Sequence, residues 1–428
     1  MKLTPRYFIL TGVAIAAMVG AMLYPRPSPR AGGAMPQQAY IWQRAWTPAV
    51  RDATVNSARD FSSYTVLAAE VSFTESHPRV ARVALDYGSL KPAGIPVGIA
   101  LRIGPIRGPI AEDDQPARRL AELAASLVCD AQTAGVRPAE LQIDFDAAAS
   151  KLDAYRVWVQ AIRRRVAPVP VTITALPSWL HHSAFSALAR ASDGYVLQVH
   201  SLKRPTSIDA PMTLCDAAAA RRAVEQAGRI GVPFRVALPT YGYLVAFDDA
   251  GKFVGLCAEG PAATWPAGTR VRALRAEPAA MSQLVRGWQA DRPACMRGII
   301  WYRLPVGGDA MNWRIQTLRT VMQGRAPRPL VAAHLRKPEP RLVEVELVNE
   351  GDADAPLDSR VVLRWSGASL VAADALGGFE QASNENEVTI RPSAASNDRL
   401  APGDRRTIAW VRTSDDTEVL AHVSEINP

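Results

Sequence analysis

The chain has 428 residues, of which 48% are hydrophobic and 21% charged, and its formal net charge is +8 at pH 7. This length favours two domains over one or three, and the composition is that of a globular protein with an ordinary core. Most cations are arginines in short groups along predicted helices, and no basic run interleaves aromatic residues. The charge therefore does not predict nucleic-acid binding.

The first 37 residues read as a targeting segment and linker. Lys2 and Arg6 precede an uncharged run, residues 7–24, and a proline-rich stretch follows it. Such a run is long enough to cross a bilayer, and cations before it predict that the rest of the chain lies outside the cytoplasm. No cysteine follows the run, which excludes a lipoprotein signal, and no small-residue cleavage site closes it. We expect an uncleaved anchor in the cytoplasmic membrane rather than a cleaved signal peptide, with the bulk of the protein in the periplasm or at the cell surface.

Residues 38–330 alternate between strand-like and helix-like patterns. Eight such units predict an α/β fold, the (β/α)8 or TIM barrel. A hairpin at residues 244–247 and 252–256 is predicted as an insertion after the seventh strand, on the face where active sites of this fold lie. Residues 78–90 are ambiguous between helix and strand. The predicted barrel strands are residues 39–44, 64–71, 97–103, 141–146, 171–175, 195–201, 234–238 and 298–302.

From about residue 338 the pattern changes to short alternating runs separated by turn-rich spacers. We expect residues 338–428 to form a small β-sandwich of the immunoglobulin-like type, which predicts packing or adhesion rather than catalysis. The predicted strands are residues 342–347, 361–365, 387–390 and 407–411.

The fourth predicted strand carries two carboxylates on one face. Because side chains alternate along a strand, Gln142, Asp144 and Asp146 point the same way. Like charges this close raise the pKa of one of the two groups, which can make one an acid and the other a base. The alternative is structural: one aspartate caps the next helix and the other bonds a loop.

The same alternation, applied to all eight strands, predicts the residues at the mouth of the barrel. Acids transfer protons, arginine and histidine bind hydroxyls, and aromatic rings stack on sugar faces, so this mixture predicts a carbohydrate site. Glu70 is a third catalytic carboxylate or forms a structural ion pair with Arg102. A lone His200 is more often a satisfied polar residue than a catalyst, and Trp301 either plugs the barrel or stacks on a ligand. The predicted substrate-binding residues are Trp42, Arg44, Arg102, Thr174, Trp179 (in a loop), Gln198, His200, Tyr241, Trp301 and Arg303.

Several stretches of the predicted barrel resemble a bacterial family known as domain of unknown function 3142. They are residues 40–44 (YIWQR), 100–104 (ALRIG), 141–146 (LQIDFD), 174–180 (TALPSWL) and 197–200 (LQVH). The resemblance covers most of residues 38–325 and implies the barrel domain and its extracytoplasmic setting, but no reaction.

More distantly, Asp144 and Asp146, together with residues 237–242 (ALPTYG), look like family 18 glycosidases. That family also inserts a small subdomain after its seventh strand. Its general acid is a glutamate two residues after the second aspartate, where this chain has Ala148. The resemblance thus implies that Asp146 or Glu70 has taken the acid role, or that the barrel binds glycans without cutting them.

The leading hypothesis is an envelope-exposed glycoside hydrolase that acts on a polysaccharide, with Asp146 as acid or base and Asp144 as its partner. The alternative is a non-catalytic glycan-binding or scaffold protein of the envelope. A third possibility, assembly through the C-terminal sandwich, needs an exposed apolar patch there. Metal-ligand spacings, nucleophile motifs and nucleotide-binding glycine loops are missing from the sequence, so no metal and no cofactor is predicted.

The four cysteines allow three disulfide pairings in an oxidising compartment. Cys215 follows the sixth predicted strand and Cys257 lies in the predicted insertion, so both belong to the same rim of the barrel. We therefore expect a Cys215–Cys257 disulfide, with Cys129 and Cys295 free.

Overall fold

The computed structural model describes residues 29–73, 78–106, 115–258, 264–393 and 399–425. The predicted anchor at residues 7–24 lies outside these ranges. Within them, no helix is long and apolar enough to span a membrane.

Eight parallel strands form a closed ring, because each pairs with the next along the chain and the eighth pairs with the first. A helix follows each strand, so the predicted TIM barrel is confirmed. The strands are β1 Gln37–Ile41, β2 Ser63–Ser72, β3 Val97–Ile103, β4 Pro138–Phe145, β5 Val171–Ala175, β6 Tyr195–Gln198, β7 Phe234–Pro239 and β8 Met296–Tyr302. The helices are α1 Pro48–Asn56, α2 Tyr87–Ala93, α3 Gln115–Thr133, α4 Leu152–Val166, α5 Ser183–Ala191, α6 Ala217–Ile230, α7 Pro278–Ala290 and α8 Ile315–Met322.

The ambiguous segment after β2 contains both kinds of element. Arg79–Arg82 is a strand antiparallel to β2 on the outside of the ring, and α2 follows it. Short 3-10 helices occur at Ala58–Asp60, Ala149–Lys151 and Pro177–Trp179.

The main hydrophobic core lies between the ring of strands and the surrounding helices. Helix α4 shows why it docks there: Tyr155, Trp158 and Ile162 recur at helical spacing and are all buried. The ring of Trp158 stacks on Phe145 of β4, with 6.0 Å between the centroids. This packing fixes the outward face of β4 and so turns its alternate residues into the barrel.

Polar side chains bond one another in the lower half of the barrel interior, toward the amino ends of the strands. The Arg235 Nη2 donates to both carboxylate oxygens of Glu140, at 2.8 and 2.7 Å, and Thr172 Oγ1 donates to the same carboxylate at 3.0 Å. Above them, the Tyr40 hydroxyl donates to Gln142 Oε1 at 2.6 Å.

The predicted insertion after β7 is present as an antiparallel sheet. Its central strand, Gly242–Phe247, pairs with Phe253–Cys257 in the predicted hairpin and with a third strand, Arg270–Arg275, that was not predicted.

The C-terminal part is a β-sandwich with its own hydrophobic core, which includes Val345, Val361 and Ile390. Six of its described strands were not predicted; one of them, Phe379–Asn384, has only Phe379 and Ala382 as apolar residues. One sheet contains Val331–Glu339, Leu342–Asn349, Arg405–Thr413 and Leu370–Ala375; the other contains Phe379–Asn384, Glu387–Pro392, Ser359–Trp365 and Val419–Glu425. A two-stranded ribbon pairs Ala355–Pro356 with Arg399–Leu400.

Candidate active site

A cavity of about 280 Å³ opens at the carboxyl ends of the barrel strands. Strands β1, β3, β4, β5, β6, β7 and β8 all contribute to its wall, and the insertion adds two residues at its rim. Its lining residues are Tyr40, Trp42, Arg102, Asp144, Asp146, Thr174, Gln198, His200, Ser201, Leu202, Ala237, Tyr241, Tyr243, Leu256 and Tyr302.

Asp144 is the buried carboxyl of the cavity, 9% exposed. Its Oδ1 accepts hydrogen bonds from Thr174 Oγ1 at 2.9 Å and Gln198 Nε2 at 3.1 Å. Burial, and secondarily the charge of Asp146, raise the pKa of Asp144 to about 6 against the opposing effect of Arg102. This carboxyl can therefore hold or release a proton near neutral pH.

Asp146 lies just past the end of β4 at the mouth of the cavity, and it is exposed. Desolvation raises its pKa, and the positive charge of Arg102 opposes that shift. Neither aspartate caps the following helices, since the N-cap positions are Ala148 and Lys151 and neither cap has a side-chain hydrogen bond. The helix-capping alternative is therefore wrong.

Glu70 is held by two arginines instead of lining the cavity. Arg44 donates to its two oxygens at 2.7 and 3.0 Å, and Arg102 Nη1 lies 3.7 Å from Glu70 Oε1. The Arg102 Nε also lies 3.8 Å from Asp144 Oδ2. Arg102 thus links Glu70 to the buried aspartate, while Arg44 lies outside the cavity wall.

Aromatic rings form one side of the cavity. The ring of Tyr302 lies edge-on to Trp42 and Tyr241, at centroid distances of 5.6 and 5.3 Å, and it stacks on His200 at 5.4 Å. Burial lowers the pKa of His200 to about 4, so its ring is neutral at physiological pH. The Tyr241 hydroxyl lies 3.4 Å from His200 Nδ1.

Trp42 carries a buried polar atom with no partner in the part of the chain that the structure describes. The side chain is 3% exposed, and its indole Nε1 makes no hydrogen bond. Because an indole nitrogen only donates, this atom is suited to an acceptor that enters the cavity from outside.

Besides Glu70 and Arg44, three predicted site residues lie away from the cavity. Trp179 packs in the outer core against Tyr155 and Phe185. Trp301 also faces outward, where its Nε1 donates to Gln37 at 2.8 Å. Arg303 is 2% exposed and bonds Asp309 and the carbonyl of Ala258.

The two wrong predictions on β8 have one cause: the inward and outward residues of this strand were assigned the wrong way round. The inward residues of this strand are Ile300 and Tyr302 instead of Trp301 and Arg303. Tyr302 was therefore missed, and Tyr40 was not named although it shares the parity of Trp42. The alternation of apolar residues in the run Ile299-Ile300-Trp301-Tyr302 is too weak to define a face.

The predicted Cys215–Cys257 disulfide is not formed, and Cys215 is a free thiol whose pKa burial raises to about 12. The loop before α6 reaches the insertion through Ile208, whose N–H donates to the Gly251 carbonyl at 3.0 Å. Cys215 itself packs against the barrel core, whereas Cys257 pairs with Leu244 on the insertion sheet. Cys129 and Cys295 are also free thiols.

In the described ranges, no group of three or more His, Cys, Asp and Glu residues is placed to hold a metal ion.

The closed ring of strands, the insertion after β7 and the polar cavity define this chain as a (β/α)8-barrel protein with a C-terminal β-sandwich. Residues 96–307 match the family model described as domain of unknown function (DUF3142), which confirms the resemblance expected from the sequence. Residues 332–414 match a second model, domain of unknown function (DUF8456). No curated protein matches the chain.

Solved structures similar to this chain include a spore cortex-lytic enzyme and several chitinases. The Bacillus megaterium QM B1551 spore cortex-lytic enzyme SleL has a TM-score of 0.48 and 12% identity, over 69% of this chain and 75% of that one. A chitinase from Chromobacterium violaceum ATCC 12472 has a TM-score of 0.46 and 15% identity, over 68% and 98% of the two chains. A chitinase from Bacteroides thetaiotaomicron has a TM-score of 0.45 and 13% identity, over 64% and 90%.

Proposed function

We propose that the barrel is a glycoside hydrolase that acts on a carbohydrate polymer through Asp144 and Asp146. The observation that carries this proposal is the pairing of the two carboxyls in one aromatic-lined cavity. One carboxyl is buried with a pKa near neutrality, and the other is exposed at the mouth. Carboxyls in different environments divide the acid and base roles of glycoside hydrolysis.

Hydrolysis breaks a C–O bond, adds the hydroxyl of water to the sugar carbon and adds a proton to the leaving oxygen. Asp146 is the group that reaches a bound chain, so it delivers that proton and takes one from the incoming water. Asp144 sits beneath it and sets its charge, because a proton on Asp144 removes the repulsion between the two groups. Trp42, Tyr241 and Tyr302 support the sugar ring.

A second candidate function is glycan binding without cleavage. It is favoured by the ion pairs of Glu70, which leave no third carboxyl facing the cavity among the described residues. Two aspartates on one strand lie on the same side of a bound sugar, whereas most glycosidases place carboxyls on both sides of the bond.

The experiment that separates these functions measures binding and turnover together. The full-length protein is presented with a panel of bacterial and environmental polysaccharides, and both retained polymer and new reducing ends are measured. Asp146→Asn tests the reacting group, and Asp153→Asn, an exposed aspartate of α4, is the matched control. Cleavage that Asp146→Asn abolishes and Asp153→Asn retains supports the hydrolase; binding without new reducing ends supports the second function.

We further propose that the barrel, residues 38–330, and the sandwich, which begins at Val331 instead of the predicted residue 338, are separate domains held outside the cytoplasm. The support for this location is the sequence: Lys2 and Arg6 precede the uncharged run, and no lysine or arginine interrupts residues 7–24.

A further inference from the structure

The described chain begins with a segment, Arg30–Ala31, that is bound to the face of the barrel opposite the cavity. Arg30 and Ala31 form a short strand antiparallel to Arg292–Pro293, which lies between α7 and the start of β8. The Arg30 guanidinium binds Asp291 through two bonds of 2.8 and 2.7 Å and Glu225 through one of 2.7 Å. Residues that precede the barrel therefore leave from the end where the strands begin, which we call the amino face.

The amino face carries an excess of exposed cations. Each parallel strand begins at this face and each helix ends there, so basic residues in the last helical turns and in the loops before the strands gather on it. Six of them are exposed and form no ion pair with any described residue. They are Lys91, Arg137, Arg165, Arg229, Arg297 and Arg325.

The acids near this face are held in ion pairs with arginines, and the single charge of Arg30 is shared by two carboxylates. Asp193 is bound by Arg163, and Asp291 and Glu225 are bound by Arg30. Cations in the last turn of a helix stabilise the helix dipole, which accounts for positions such as Arg165. That effect does not account for Arg137 and Arg297, because neither lies in a helix. Arg137 directly precedes β4, and Arg297 is the second residue of β8.

We propose that the amino face of the barrel docks on the surface of an anionic lipid bilayer, so that the cavity faces away from the membrane. Two observations name this partner. The first is charge complementarity, since anionic lipid headgroups attract clustered lysine and arginine side chains. The second is the length of chain between the uncharged run and the fixed point at Arg30.

Residues 25–29, three of which are proline, join the run at residues 7–24 to Arg30. An extended proline-rich segment of this length spans roughly 16 Å. If the run crosses the bilayer, the amino face is held within about two Debye lengths of the headgroups at physiological salt. The cavity then lies about one strand length farther out, roughly 19–27 Å for strands of seven to ten residues tilted as in this fold.

Energy transfer from a fluorophore on the native thiol of Cys129 to a dye on the lipid headgroups tests this arrangement, because Cys129 is exposed and lies near the amino-face end of α3. The full-length protein is reconstituted with phosphatidylcholine vesicles or with equimolar phosphatidylcholine and phosphatidylglycerol vesicles. A second label on the cavity side, introduced by Ala148→Cys with Cys129→Ser, reports the opposite face. We expect stronger transfer from Cys129 on the anionic vesicles, loss of that gain at about 1 M salt, and weak transfer from position 148 throughout.

Two variants with equal changes in net charge assign the effect to this face. The amino-face variant carries R137E, R165E, R229E and R297E; the control variant carries R221E, R222E, K252E and R270E, all exposed and on the cavity side. Each removed charge weakens attraction to an anionic surface about fivefold, so the docked population in the amino-face variant falls by about two orders of magnitude or more. The control retains docking.

The proposal is wrong if transfer from Cys129 is the same on both vesicle types, if both variants lose it equally, or if position 148 lies nearer the lipid. It is also wrong if the protein binds a soluble anionic polymer such as dextran sulfate through the amino-face arginines, while the lipid composition of the vesicles does not change the energy transfer from Cys129. The salt dependence of the wild-type protein decides the matter if the fourfold variant does not fold.

Discussion

Asp144 and Asp146 lie two residues apart on one face of β4, yet one is 9% exposed and hydrogen-bonded to Thr174 and Gln198 while the other is exposed at the cavity mouth. The difference follows from position along the strand: Asp144 is within β4 and is surrounded by neighbouring strands, whereas Asp146 is beyond its last residue. One backbone segment thus places a buried and an exposed carboxyl in the same cavity.

The buried carboxyl predicts an unusual pH dependence of stability. The pKa of Asp144 rises from 3.8 to about 6 on folding, so between these values the folded protein holds a proton that the unfolded chain has released. Ionisation of Asp144 therefore lowers stability as the pH rises through this window. We expect Asp144→Asn to increase the free energy of unfolding at pH 7 by about 3 kcal/mol more than at about pH 3.5. Denaturant unfolding at the two pH values measures this, with Asp153→Asn as control; an equal effect at both would contradict it.

His200 contributes a pH dependence of stability that is opposite in sign to that of Asp144, over an overlapping range of pH. Burial lowers its pKa from 6.5 to about 4, so between these values the unfolded chain binds a proton that the folded protein does not. Its contribution makes stability increase as the pH rises and is lost as the pH falls toward 4. His200→Gln should therefore stabilise the protein at about pH 4 relative to pH 8, by up to about 3 kcal/mol. Thermal unfolding across this range checks the slope, and His182→Gln, an exposed residue after β5, should leave it unchanged.

Glu70 should matter less to turnover than the two aspartates. Its carboxylate forms ion pairs with Arg44 and Arg102 and does not line the cavity. Because Arg44 and Arg102 are half exposed, Glu70→Gln should cost less than about 1 kcal/mol of stability. Any hydrolysis should fall less than about tenfold, well below the loss typical of a proton-transfer group. A loss as large as that of Asp146→Asn, measured on the same polymer, would make Glu70 a working carboxyl after all.

Substitutions at two tryptophans that the sequence predicted in the site should have different effects, one on polymer affinity and the other on stability. Trp42 offers an unpartnered indole N–H to the cavity, and the loss of one hydrogen bond weakens affinity by roughly 2–10-fold, so we expect that loss from Trp42→Phe with little change in Tm. The indole of Trp301 bonds Gln37 in the outer core, so Trp301→Phe should lower Tm and leave affinity unchanged. Equal effects of both substitutions on polymer affinity would contradict the placement of Trp301.

Much of the site follows from strand alternation where the strand pattern is strong. On β4 the polar residues Gln142, Asp144 and Asp146 alternate with apolar ones, and the structure turns Asp144 and Asp146 into the cavity. On β8 almost every residue is apolar or aromatic, so the parity could not be fixed and Trp301 was chosen where Tyr302 lines the cavity. Packing against Trp313 in the outer core, which alternation does not encode, decides which ring turns outward.

Local irregularities and contacts between distant segments of the chain also could not be predicted from the sequence. The bulge in β2 between Leu67 and Ala69 interrupts the alternation of that strand, and Leu67 lies with the barrel-interior residues. The disulfide prediction failed for a related reason: a shared rim says nothing about which way the loop carrying Cys215 packs.

The most direct test of the proposed activity is single-turnover cleavage of a bound polysaccharide by the wild type and by Asp146→Asn at matched occupancy. Equal occupancy removes differences in affinity and leaves only the chemical step. We predict that Asp146→Asn binds the polymer and cleaves it about 10²–10⁴-fold more slowly, because an amide cannot exchange a proton. Cleavage within a few-fold of the wild-type rate, or no cleavage by either protein on any polymer that binds, would contradict the assignment of Asp146 as the acid–base group.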